Sequence, residues 1–198
     1  MRGYLPELRH DTLERMVRAV ELVHERLLRS TGALERAGIP YAVAGGSAVK
    51  VWVARVDESA VRQTPDVDVI VSGRDYEHAK ATLERRGFIR RPAQRGKLFV
   101  ESMDDPDRKA VRVYRDGEKV RGGDALPVPD VAESEPGREF RILSLEALVR
   151  MELTAFRTVN AVHVRDLIDV GLVDPSWVAR LPAPLNDRLQ HLFDTPDG

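Results

Sequence analysis

Residues Thr64–Val71, Thr-Pro-Asp-Val-Asp-Val-Ile-Val, constrain this chain more than any other stretch. They read as a β-strand, and side chains alternate between the two faces of a strand. Asp66 and Asp68 therefore share one face, while Val67, Val69 and Val71 share the other. Two carboxylates side by side repel each other and call for a counter-charge. Hard oxygen ligands suit Mg²⁺, which takes a couple of carboxylates together with the phosphates of a substrate.

A second feature lies just upstream. The apolar run Tyr41-Ala42-Val43-Ala44 leads into Gly45-Gly46-Ser47, and a segment of helical character follows from Ala48 to about Arg55. Glycines let backbone N–H groups come close to an anion, and the N-terminus of a following helix favours negative charge. Taken alone, a Gly-Gly pair is usually a turn and an Asp-x-Asp a solvated strand end. Taken together, the two describe a site for a metal-bound polyphosphate.

Their order and spacing add a resemblance. Gly45-Gly46-Ser47, a helix, then Arg62-Gln63-Thr64-Pro65-Asp66-Val67-Asp68 resembles the nucleotidyltransferase superfamily, in particular its small bacterial stand-alone members similar to AbiEii-type toxins. The likeness runs from about residue 15 to residue 172. It implies an α/β fold, a small mixed sheet flanked by helices with a helical C-terminal part. It also implies Mg²⁺-dependent transfer of a nucleotidyl group. Asp66 and Asp68 would then be the catalytic metal ligands, with Gly45, Gly46, Ser47, Arg62 and Thr64 on the nucleotide side. Arg62 also reads as a surface arginine.

Composition narrows the classes. The chain has 198 residues, a length for one domain or one with a small appendage. Charged residues make up 32%, yet the net charge is only −1, which leaves no overall electrostatic footprint for nucleic acid. There are no cysteines, so disulfides, thiol catalysis and zinc-thiolate sites are excluded. No apolar run is long enough to span a bilayer and the N-terminus lacks a signal-peptide pattern, so no membrane partner and a cytoplasmic location are expected.

The remaining elements follow from periodicity and punctuation. A loose lead-in of residues 1–10 is expected before a helix capped by Asp11 or Thr12, with Leu13, Met16, Val17, Val20, Val23, Leu27 and Leu28 inward. A short second helix is expected from Thr31 to Ala37, ended by Gly38 and Pro40. Asp75 suits the N-cap of a helix from Tyr76 to Arg86. Arg85, Arg86, Arg90, Arg91, Arg95 and Lys97 form the most basic stretch and read as a solvated helix end and loop. Leu98–Met103 and Ala110–Tyr114 read as strands. An irregular excursion spans Asp116–Glu139, with a short strand near Glu118-Lys119-Val120. Ser144 should cap a helix reaching about Arg157, a further helix should start near Ala161, a short one near Asp174, and a last one should carry Leu185, Leu189 and Leu192. Residues 11–140 form the expected α/β core and 141–194 a helical region packed on it.

Two residues depart from the family pattern. Its third carboxylate falls here on Arg112, which neither ligates a metal nor serves as a base. Glu152 stands where relatives carry lysine, inside the apolar stripe of Leu145, Leu148, Val149 and Phe156. A carboxylate there is costly unless paired. The two changes suggest an exchange of charge, with Glu152 and Arg112 within roughly 4 Å or bridged by one water. The rival is that Glu152 reaches Asp66 and Asp68 as the missing ligand; Glu101 is another substitute. Two functional readings stand: an Mg²⁺-dependent nucleotidyltransferase using a nucleoside triphosphate, or a catalytically lapsed protein of that fold that binds a nucleotide or a protein partner such as an antitoxin. The acceptor, whether nucleic acid, protein or small molecule, is left open.

Overall fold

A computed structural model describes residues 10–92 and 96–195. Of the lead-in expected over residues 1–10, residues 1–9 lie outside them, as does Arg95, while His10 already belongs to a helix. Seven strands form one mixed sheet: β1 (Tyr41–Ala44), β2 (Val67–Val71), β3 (Ile89–Arg91), β4 (Lys97–Val100), β5 (Val111–Arg115), β6 (Ser134–Pro136) and β7 (Arg141–Leu143). Their order is β3-β4-β5-β2-β1-β7-β6, which places the acidic strand in the middle. β2 runs antiparallel to β1 and parallel to β5. Val67, Val69 and Val71 are fully buried, as the alternation demands, and so is Ile70 on the face of Asp68.

Among the described residues there are six α-helices: α1 (His10–Arg36), α2 (Gly45–Ala54), α3 (Tyr76–Arg85), α4 (Leu145–Ala155), α5 (Thr158–Asp169) and α6 (Leu185–Asp194). α1 packs on α3 and on β1, β2 and β5, while α2 packs on β1, β2, α4 and α5. This is the mixed α/β architecture that the resemblance implied. β7, Arg141–Leu143, lies in the sheet beside β1 and leads directly into α4. Ser144 caps that helix, accepting from the Ala147 N–H.

Several boundaries differ from the sequence expectations. The two helices expected before β1 are one helix of 27 residues. Ser30 and Thr31, at the expected junction, turn their hydroxyls back onto the Leu27 carbonyl and continue the helix. At about 1.5 Å per residue that helix spans about 40 Å, far more than strands of four or five residues can cover. Its first turns therefore overhang, and Leu13, Met16 and Val17 are exposed instead of inward. Asp75 forms no side-chain cap. No strand forms at Glu118–Val120; backbone bonds between Gly117 and Val128 and between Val128 and Glu118 shape that excursion. Arg90 and Arg91, read as loop, belong to edge strand β3. Short strands such as β3, β6 and β7, three residues each, carry too little alternation to be seen alone.

Candidate active site

α2 begins at Gly45, not at Ala48, so the Gly-Gly-Ser turn is the first turn of the helix itself. Its N-cap, Ala44, offers no side-chain acceptor, and the first N–H groups are left uncapped by any side chain. Gly45 sits at φ +60°, and a Cβ there would lie 2.4 Å from Asp68 Oδ2. A Cβ on Gly46 would meet Thr64 Oγ1 at 2.8 Å and His163 Nε2 at 3.0 Å. Both glycines are thus required by close approach, the first also by backbone conformation.

The strand pairing brings the acids to this turn. Asp68 pairs with Ala44 of β1 on one side and with Arg112 of β5 on the other. Asp66 lies just before β2, which starts at Val67 and not at Thr64; the Asp66 N–H donates to Thr64 Oγ1 at 3.3 Å. Gly45, Gly46, Thr64, Asp66, Asp68, Arg112 and Glu152 all line one cavity of about 160 Å³. The excursion after β5 closes one side of it with Val120, Leu126 and Val128, and Met151 and Val159 face it from α4 and α5.

Two of the sequence candidates stand apart. Ser47 does not line this cavity; its hydroxyl donates to the Asp66 carbonyl at 3.1 Å and so holds the acidic segment against α2. Arg62 also lies outside it, with Nε donating to Asp166 Oδ1 at 2.6 Å. It lines a neighbouring cavity with Lys50, Gln63 and Asp166 that shares Gly46, Thr64, Asp66 and His163 with the first. Glu101 is taken by Arg26 and Arg29 of α1 and plays no part in the cavity.

The charge exchange between Arg112 and Glu152 does not take the expected form. Arg112 Nη1 lies 3.2 Å from Asp68 Oδ1 and makes its ion pair there. Glu152 is 2% exposed, as its place in the apolar stripe predicts, but its partners are Asn160 Nδ2 at 2.6 Å and His163 Nδ1 at 3.1 Å. No direct Arg112–Glu152 ion pair is formed, because β5 register commits Arg112 to Asp68 and α5 satisfies Glu152 first. Asn160 and His163, three residues apart on one face of α5, were missed in the sequence. The signal for them was the buried acid itself, which had to find a partner on an adjoining helix.

Burial pushes the Asp68 carboxyl up to about 6; Arg112 opposes the shift, while Asp66 and Glu152 add to it. For His163, burial works against the charged imidazolium, but the Glu152 hydrogen bond and charge outweigh it and hold the pKa above the ordinary value. Burial also raises the Tyr114 phenol, and Asp68 adds to this. The Asp66 carboxylate, by contrast, has no hydrogen bond or salt bridge of its own among the described residues.

The donor set decides what metal chemistry fits. Among the described residues no group of three or more His, Asp or Glu side chains is arranged to hold an ion. One free carboxylate, Asp66, and one shared with Arg112, Asp68, fit a single Mg²⁺ that brings further oxygens with a nucleoside triphosphate. They do not fit two ions held by three carboxylates.

Known structures share this architecture. The solution structure of the antibiotic-resistance factor ANT(2'')-Ia aligns with a TM-score of 0.52 at 18% identity, over 89% of this chain and 91% of that one. The crystal structure of ANT(2'')-Ia in complex with adenylyl-2''-tobramycin aligns with a TM-score of 0.54 at 17% identity, over 88% and 98%. The fold is nucleotidyltransferase-like. No family model and no curated protein matches the sequence. Among the described residues no helix is long and apolar enough to cross a membrane.

Proposed function

We propose that the chain is an Mg²⁺-dependent nucleotidyltransferase with an atypical acidic site, moving a nucleotidyl group from a nucleoside triphosphate to a small hydroxylated acceptor. The observation that carries this reading is the meeting of the Gly45-Gly46 turn with Asp66 and Asp68 in one cavity of a nucleotidyltransferase-like fold. When bound, Mg²⁺ neutralises phosphate charge and polarises the phosphoryl oxygens.

The chain's own groups supply the rest. Uncapped N–H groups at the start of α2 receive phosphate oxygens, which the glycines allow to come close. Glu152 accepts from His163 Nδ1–H, and in the imidazolium form that this carboxylate favours, Nε2–H beside Gly46 is a second donor to the phosphates. Lys50 and Arg62 in the adjoining cavity favour a polyphosphate tail. Val120, Leu126, Val128 and Met151 form an apolar wall suited to the base or to the acceptor ring. The acceptor oxygen bonds the α-phosphorus, pyrophosphate leaves, and the hydroxyl proton passes to water. The acceptor class is drawn from ANT(2'')-Ia, whose crystal holds adenylyl-2''-tobramycin.

The Arg112–Asp68 pair favours a second reading, in which the chain binds a nucleotide or a protein partner, such as an antitoxin, without turnover. Calorimetry with each nucleoside triphosphate, with and without Mg²⁺, followed by pyrophosphate release in the presence of hydroxylated small molecules, separates the two. At least one triphosphate should bind, and Asp66→Asn should weaken binding with Mg²⁺ about tenfold more than binding without it. No binding at all, or an equal loss in both conditions, rules out the metal-nucleotide reading.

A further inference from the structure

Arg112 is unlike the other guanidinium groups that line the cavity. It is locked by register: in the parallel pairing of β2 with β5 it is the direct neighbour of Asp68. Its side chain is only 23% exposed and that of Asp68 only 16%, so neither charge can be left alone without a large desolvation cost. Tyr114, two residues on and therefore on the same face, packs beside the pair in the same cavity. Arg121 and Arg157 also line the cavity, but both are exposed and neither forms an ion pair among the described residues. Glu152 is already satisfied by Asn160 and His163. Asp124 accepts from the Arg121 N–H, so among the described carboxylates that line the cavity only Asp66 makes no hydrogen bond or ion pair.

We propose that Arg112 is a resident cation standing where a second divalent ion would be, so that the site takes a single metal ion and takes it together with a nucleoside triphosphate. The guanidinium is permanently charged and presents a fixed fork of donors. Without nucleotide, a metal ion approaching Asp68 meets this charge at short range. Phosphate oxygens supply the negative charge that lets both cations stay. Metal and nucleotide binding are then positively coupled, each raising the affinity of the other by the same factor. The proposal rests on the nucleotidyl-transfer reading for its second half, but the competition at Asp68 stands on the ion pair itself.

The test is a titration of the full chain with Mn²⁺, followed by electron paramagnetic resonance of the free ion, with and without ATP. The wild-type protein should bind a single Mn²⁺ with ATP, and about tenfold more weakly without it. Arg112→Asp, which sets a carboxylate beside Asp68, should bind Mn²⁺ about tenfold more tightly in the absence of nucleotide and take a second ion with ATP. Arg112→Lys keeps the charge and should stay near wild type. Circular dichroism checks that each variant folds; if Arg112→Asp does not, Arg112→Gln supplies the metal-only comparison. Two ions on the wild type overturn the proposal, as does an unchanged metal affinity in the charge-removing variants. Failure of every nucleoside triphosphate to bind overturns the nucleotidyl reading instead, and the comparison without nucleotide still judges Arg112.

Discussion

The sheet side of the cavity and its helical side hold their carboxylates in opposite ways. On the sheet, Asp66 and Asp68 are placed by strand alternation and register, and one of them has no partner of its own. On the helices, Glu152 is more deeply buried than either and fully engaged by Asn160 and His163. Both sides face the same space, yet only the first can offer a carboxylate to something new. An acid in a cavity is available according to what already holds it, and its depth is a poor guide.

The largest effect that sharpens this comparison should come from the turn that the sheet side is built around. Gly45→Ala places a methyl group against Asp68 Oδ2 and demands a left-handed backbone of a non-glycine residue. A loss of about 3 kcal/mol in urea-unfolding free energy is expected. Gly117→Ala, at φ +69° with nothing near its Cβ position, should lose only about 1 kcal/mol. Equal losses would mean that the contact with Asp68 does not constrain the turn.

The helical side is next. Glu152→Ala leaves Asn160 and His163 buried without their acceptor and should cost about 3 kcal/mol. Glu152→Gln keeps the shape and removes the charge, which isolates the pH dependence. Because the folded-state pKa of His163 is raised, its contribution to stability is fully present below the ordinary imidazole value of 6.5 and is lost as pH rises through the raised one. Unfolding measured across neutral pH should show that decline in the wild type and a flatter profile in Glu152→Gln. A parallel profile in both proteins would break the assignment of the shift to Glu152.

The smallest effect concerns Ser47. Its hydroxyl makes one hydrogen bond, to the Asp66 carbonyl, so Ser47→Ala should cost about 1 kcal/mol of stability. Nucleotide affinity in calorimetry should change less than it does in Asp66→Asn. A larger loss of affinity than of stability would return Ser47 to the phosphate side.

What the sequence disclosed divides along the same line. The acidic strand and the turn before it were legible because alternation and glycine spacing are local signals, and the mixed α/β class came from the resemblance that those residues carry. The burial of Glu152 was legible too, from helical periodicity alone. Its partners were not, since a choice between Arg112, the acidic pair and α5 depends on how helices pack and not on any one segment. Arg62 read both as a nucleotide-side residue and as a surface arginine, and its ion partner, Asp166, was out of sight because it lies on α5, over a hundred residues away in sequence. The unbroken course of α1 through Ser30 and Thr31 was hidden because hydroxyl residues are common at helix breaks and only burial shows them turned inward.

β2 is the fourth of seven strands, hydrogen-bonded on both edges. Its amide protons should therefore exchange with solvent only when the whole domain opens, while the stretch from Gly117 to Val128, held by a handful of backbone bonds, should exchange through local openings. The two walls of the cavity thus keep different clocks. A ligand that settles there would leave the exchange of Val67–Val71 untouched and would write its presence into the slowed exchange of the excursion opposite.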